Sequence, residues 1–304
     1  MLKLSPEFAP RLERVVCSLE RLLPRPLPSL DWSISLAANW RRHSFAGNLE
    51  AIDSVGEGEL DDLLGIDEQK RVLEENTRQF LAGYPANNAL LWGTRGTGKS
   101  SVVRALLNRY APQGLRIVQV DKSDLEHLPD IFAALRAEPY RFILLCDDLS
   151  FEPGEISYKM LKSALDGSVY AAPKNVLIYA TSNRRHLLPE YMVDNLGAKM
   201  VNNEIHHGEA VEEKISLSDR FGLWVPFHVF SQDHYLRVVR QCIVLESRTS
   251  GIDFAWDDAL QQAAIQWSHD RSKRCGRTAL QFARHWVGQQ LLKRTPGPDP
   301  GQDA

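Results

Sequence analysis

At 304 residues the chain has room for one large α/β domain with a smaller appendage, or for two domains. Its 43% hydrophobic and 25% charged residues are ordinary for a globular protein, and a net charge of -3 with a pI near 6.3 gives no global pull towards nucleic acid or anionic membranes. Cys17, Cys146, Cys242 and Cys275 lie far apart without metal-ligand spacing, and no run reaches the roughly 18 apolar residues of a membrane span, so the expectation is reduced thiols, no membrane and a cytoplasmic address.

Residues 7–24, "EFAPRLERVVCSLERLLP", space their apolar side chains as an amphipathic helix does. A Pro-rich break, "RPLPSLDW", leads into "SISLAANWRRHSFAGNLEAID", whose pattern is weak, and residues 1–58 are expected to form a helical N-terminal extension. A helix is expected from about Asp67 to Leu81, opened by acidic residues and stopped by Gly83 and Pro85. From Ala89 short apolar runs alternate with helical ones, the pattern of βαβ units and a parallel sheet. The candidate strands are "ALLWG", "LRIVQVD", "RFILLCDD", "NVLIYATSN" and "LWVPFHVF"; the helical runs between them are "GKSSVVRALLNRY", "DLEHLPDIFAALR" and "SYKMLKSALDG". After Ser231 only helical patterns remain, which sets an α/β core at 59–230 and a helical region at 231–294. The tail 295–304, "TPGPDPGQDA", has nothing to bury and is expected to be disordered.

Chemistry concentrates at "LLWGTRGTGKSS". Gly93, Gly98, Lys99 and Ser100 meet the spacing G-x-x-x-x-G-K-[ST], in which a glycine-rich turn between strand and helix lets backbone N–H groups close on phosphate. Gly93, Thr94, Gly96, Thr97, Gly98 and Ser101 are expected to belong to that cradle; Lys99 can reach the β- and γ-phosphates of ATP and the Ser100 hydroxyl can bind Mg²⁺. A second anchor for the metal is an Asp at the end of a buried strand, and "FILLCDD" supplies Asp147. Asp148 and, four residues beyond it, Glu152 compete for the task of polarising water. Asn183 ends "LIYATSN", where an amide could orient water or simply make a turn. Arg220 in "SLSDRFGLW" reads either as a surface ion pair or as an arginine finger, and Arg277 opens the last helix where it could fold back on the nucleotide.

Taken in order, these motifs resemble the AAA+ ATPases over about residues 60–293. The resemblance implies Walker A at Gly93 to Ser100, Walker B at Asp147 with Asp148, sensor 1 at Asn183, the arginine finger at Arg220 and sensor 2 at Arg277. It also places Leu64, Gly65 and Ile66 on the adenine side. "ANNALLWGTRGTGKSS", "FILLCDDLSFE", "NVLIYATSNRRHLLPE" and "EAVEEKISLSDRFGLW" are more closely similar to the bacterial AAA+ family catalogued as domain of unknown function 815. The resemblance implies a three-layer P-loop core with sheet order 5-1-4-3-2, a helical lid, ATP and Mg²⁺ as ligands, and a homo-oligomer, hexamers included, acting on a protein partner. A slow ATP-dependent assembly switch and a DNA initiator or loader stand as alternatives. Residues 184–217 are long for a connection and are expected to be functional or flexible, with His206 and His207 read as loop residues rather than ligands. The tryptophans at 32, 40, 256, 267 and 286 are expected to anchor core or interface.

Overall fold

The computed structural model describes residues 14, 30–42, 47–56, 58–152, 155–166, 171–185, 187, 199–201, 204–206 and 217–294. The chain divides into two units, 1–31 and 32–304, and every element named below belongs to the second. The amphipathic helix at 7–24 (apart from Arg14, which is helical), the tail and most of 184–217, His207 included, lie outside the described residues.

The sheet has seven strands: β1 (Ala37–Arg42), β2 (Gly47–Ala51), β3 (Ala89–Gly93), β4 (Leu115–Gln119), β5 (Arg141–Cys146), β6 (Val176–Ser182) and, after a separate small pair β7 (Lys199–Val201) and β8 (Glu204–His206), β9 (Leu223–Phe227). Its order is β2-β1-β4-β5-β6-β3-β9. The expected 5-1-4-3-2 arrangement is present as β9-β3-β6-β5-β4, with every pairing parallel. The sheet then continues past β4. β1 joins it in parallel, Ala38 opposite Val118, and β2 turns back antiparallel, Trp40 opposite Leu49.

Those two strands correct the expectation of a wholly helical N-terminal extension. "AANWRR" and "GNLEA" carry Ala, Asn, Gly and charge, residue types depleted in strands; β2 is the sheet's edge and β1 lies between it and β4. Arg41 and Glu50 face solvent there, with 3.8 Å between their charged groups.

β4, β5 and β6 are buried along nearly their whole length, as strands covered on both faces must be. One face packs on α1 (Asp67–Leu81) and α2 (Lys99–Tyr110): Leu91, Ile117, Ile143, Leu145 and Tyr179 meet Leu73, Phe80, Val103 and Leu106 in one apolar cluster. The alternate residues face the other way, where Trp32 sits edge-on to Phe142 at 4.9 Å and α3 (Leu128–Arg136) packs on β6; α4 (Ile156–Leu165) packs beside α3. A second apolar cluster joins α5 (Gln232–Ser250), α6 (Asp258–Asp270) and α7 (Gly276–Arg294) through Tyr235, Val239, Ile243, Leu260 and Phe282. Ser231 and Asp257 cap α5 and α6 by accepting from His234 N and Leu260 N, and Gly251 ends α5 with φ +60°. Trp32 and Trp40 are buried in the core, and Trp256, Trp267 and Trp286 pack against the helical cluster.

One buried polar knot ties α1 to the middle of the sheet. Asn76 Nδ2 donates to the Tyr179 hydroxyl and to Asn87 O, both at 2.9 Å; Asn76 Oδ1 accepts from Asn87 N; Thr77 Oγ1 lies 3.1 Å from the same hydroxyl. Replacing Asn76 with Leu strands several of these groups in a dry core, whereas Tyr179→Phe removes only one partner. Asn76→Leu is therefore expected to cost about 3 kcal/mol and Tyr179→Phe about 1 kcal/mol. Urea unfolding checks both, as shifts of midpoint at unchanged slope.

Candidate active site

The turn from β3 into α2 needs residues free of a Cβ at three of its positions. Gly93, Gly96 and Gly98 have φ of +134°, +81° and +103°. A Cβ on Gly93 would lie 2.0 Å from Phe227 O, and one on Gly96 would lie 2.7 Å from Cys275 Sγ. The loop is also braced from within, Thr97 Oγ1 donating to Thr94 O at 2.7 Å. Ser101 is exposed on the first turn of α2.

Lys99, the first residue of α2, is 7% exposed. Its Nζ donates to Gly93 O at 2.7 Å, Thr94 O at 2.8 Å and Asn183 Oδ1 at 3.3 Å. Burial pushes its pKa below the ordinary lysine value; Asp148 and Asp147 oppose that shift, and Arg95 and Arg277 add to it. All three N–H donors of the ammonium are engaged, so a bound phosphate would replace one or more of these partners.

Because β5, β6 and β3 are parallel neighbours, their C-terminal ends open on the same side as the start of α2. Ser100 Oγ donates to Asp147 Oδ1 at 2.6 Å, and Thr181 Oγ1 donates to the same oxygen at 2.5 Å. Thr181 Oγ1 accepts in turn from Asp148 N at 2.9 Å. Asp148 has a left-handed backbone, φ +53°, which turns its carboxylate to Asn183 Nδ2 on one oxygen and to Arg95 at 3.0 Å on the other. Glu152 is exposed in the following loop, its backbone N–H held by Glu155, which also pairs with Lys122. Of the two rival carboxylates, Asp148 is the one beside Lys99 and Asn183.

The helical region reaches the loop through backbone. Gly276 N donates to Gly96 O at 2.8 Å, and Arg277 lies beside Gly96 with its Cβ 3.3 Å from where a Gly96 Cβ would be. On the other flank Leu64 O is 2.9 Å from His234 Nε2 of α5, Gly65 at φ +71° leaves room for that ring, and Ile66 packs near Gly98. Arg220, the last residue of the turn at 217–220, pairs with Asp166 at the end of α4. Lys99, Ser100, Asp147, Asp148, Asn183 and Arg277 thus converge, Leu64 to Ile66 flank them, and Arg220 is held by a different carboxylate.

Two side chains of the cluster, Thr181 and Arg95, carry no strong signal in the sequence. Thr181 is visible there only as one polar residue ending a strand, and Arg95 occupies a position of the loop pattern open to any residue.

Solved structures share this arrangement of layers around such a loop. The fold is similar to that of a point mutant of Thermotoga maritima RuvB, with a TM-score of 0.55 at 15% identity over 79% of this chain and 68% of that one. It is similar to Aeropyrum pernix ORC1 in complex with DNA, with a TM-score of 0.52 at 18% identity over 80% of this chain and 63% of that one. The FIGL-1 AAA domain in complex with ADP gives a TM-score of 0.50 at 17% identity, over 79% and 76%. No curated protein matches the sequence. These neighbours are AAA+ ATPases, and at such identities they speak for the fold alone. The family model described as Protein of unknown function (DUF815) matches residues 33–290, most of the chain and both apolar cores, so the protein belongs to that family and carries it on an AAA+ P-loop ATPase fold.

Proposed function

We propose that the protein binds ATP with Mg²⁺ at the Gly93–Ser100 loop, hydrolyses it, and couples the cycle to assembly or remodelling of a protein partner. The observation that carries this reading is the contact between two halves of one device: Ser100 with Asp147 and Thr181, and Lys99 with Asn183 and Asp148. The oxygens of the first group suit a hard cation, since Mg²⁺ takes one or two protein oxygens and otherwise phosphate and water. Ser100 and Asp147 would hold it. Bound there, it would offset charge on the β- and γ-phosphates.

The chain's own groups supply the rest. Loop amides and the Lys99 ammonium bind phosphate oxygens; Asn183 and Asp148 orient a water in line with the bond to the leaving diphosphate; Arg277 adds positive charge from the helical lid. Water adds to the γ-phosphorus, the bond to the β–γ bridging oxygen breaks, and the products are ADP and phosphate. Leu64 to Ile66 line the base side. Arg220, stored on Asp166, acts on the nucleotide of a neighbouring copy, which makes a homo-oligomer, a hexameric ring being one such form, the working state. The cytoplasm is the proposed address; among the described residues no helix is long and apolar enough to cross a membrane.

A second reading has its own support. Both oxygens of Asp148 are engaged by Asn183 and Arg95, and Asp is one methylene shorter than Glu, which together favour a slow switch that assembles on ATP and rarely turns it over.

In phosphate-release and nucleotide-titration assays, Lys99→Ala is expected to lose ATP binding or to lower turnover by about 10²-fold or more. Wild-type binding and rate in that variant would remove the phosphate-loop assignment.

Asp148→Asn should keep nucleotide binding and lose turnover by a similar factor, about 10²-fold, while Glu152→Gln changes it little. The reverse ranking would move the water-orienting task to Glu152.

Arg220→Ala should bind ATP nearly normally and hydrolyse it slowly, because the guanidinium acts on transition-state charge. Mixing it with Lys99→Ala should recover activity, since each copy supplies what the other lacks. Failure to recover in mixed assemblies verified by mass would confine Arg220 to its own chain.

A further inference from the structure

Arg95 stands in the phosphate loop itself, and its guanidinium pairs with Asp148 at 3.0 Å. Asp148 is fixed at every other point: its backbone is left-handed, its N–H is held by Thr181 Oγ1, and its second carboxylate oxygen accepts from Asn183 Nδ2. Asn183 Oδ1 accepts from Lys99. Arg95, Asp148, Asn183 and Lys99 therefore form one continuous chain from the loop to the first residue of α2, buried at its Lys99 end and exposed at its Arg95 end, where the ion pair lies. Arg95 and Asp148 are 63% and 56% exposed at that link.

We infer that Arg95 is the residue that distinguishes a nucleoside triphosphate from a diphosphate: it leaves Asp148 to bind the terminal phosphate, and its departure frees the Asp148 carboxylate to orient water. The inference rests on the nucleotide reading given above.

Three observations carry it. The link is the weakest kind of ion pair, exposed and solvated on both sides, so little holds the guanidinium in place. The alternative partner is stronger, because a terminal phosphate presents more charge than a carboxylate and matches the planar fork of an arginine. And there is space to turn: Arg95 and Thr94 border a cavity of about 580 Å³ between the loop and the α6–α7 connection, whose Lys273 and Arg274 also line it. The local charge favours the exchange as well. Arg95 and Arg277 are close enough to act on Lys99, as are Asp147 and Asp148, so three formal positive charges face two negative ones before any phosphate arrives. A diphosphate satisfies Lys99 and the loop amides but brings no group to the Arg95 side, so the ion pair stays closed and Asp148 stays tied.

The exchange is tested on the full chain by titrating ADP and a non-hydrolysable ATP analogue with Mg²⁺, alongside steady-state phosphate release with ATP. Arg95→Gln is expected to bind ADP within about twofold of wild type, to lose its preference for the triphosphate by about tenfold, and to lower kcat. Arg95→Lys, which keeps the charge without the fork, should recover part of the preference. In an Asp148→Asn background, where no carboxylate competes for Arg95, the Arg95→Gln change should still lower the triphosphate preference, since the guanidinium then acts on the terminal phosphate alone. Equal loss of ADP and triphosphate affinity would make Arg95 a general anion contact and overturn the inference. Unchanged preference and kcat in both Arg95 variants would reduce the pair to a surface salt bridge, and raised kcat would make Arg95 a brake that phosphate never recruits; either result overturns it. A wild-type chain that neither binds nor hydrolyses ATP would remove the nucleotide reading and this inference together, whereas normal wild-type turnover matched by both variants would remove this inference alone.

Discussion

Parallel pairing of β3, β6 and β5 is the constraint on which the rest of the molecule depends. Leu91 opposite Thr181, and Cys146 opposite Ala180, fix the register of three strand ends. A slip of one residue in β6 would turn Thr181 to the other face and leave Asp147 with Ser100 alone of its two hydroxyl partners. The apolar runs that make this register unambiguous are buried on both faces, so the core and the polar edge are specified by the same residues. Helices on either side supply the burial that holds strands carrying charged groups at their tips.

Much of this architecture is legible in the amino-acid sequence because the signals are long or chemically restrictive. α1 falls on Asp67–Leu81 as its acidic opening and its breakers require, β3 falls on "ALLWG", and the order of the five strands from β9 to β4 is as expected. Glycines at 93, 96 and 98 are readable for a backbone reason, each having a positive φ. The edge hairpin is not readable in the same way. β1 and β2 owe their conformation to the exposed backbone of β4, a template far along the chain, and their own side chains carry little strand preference beyond Trp40.

The polar cluster divides along a similar line. Lys99, Ser100 and Asp147 sit in patterns where chemistry limits the residue type, so their convergence follows from spacing. The choice between Asp148 and Glu152 depends on how the chain leaves β5, a left-handed residue that no spacing announces. Arg95 is invisible for the opposite reason, since its position in the loop tolerates anything and only its partner gives it meaning. Arg220 reads from the sequence as an ion pair or a finger, and its contact with Asp166 is compatible with storage for either task.

The tie between Gly276 N and Gly96 O has a mechanical consequence. α7 begins at that bond and runs for 19 residues, so the loop grips one end of a rod. At about 1.5 Å per residue the rod is roughly 28 Å long, and a tilt of about 10° at its gripped end carries the far end through about 5 Å. The bond is made by two main-chain atoms, so of the residue replacements only proline at 276, which has no N–H, deletes it directly. Small rearrangements of the loop are thereby geared up to displacements of the size of a side chain at the opposite face of the helical region.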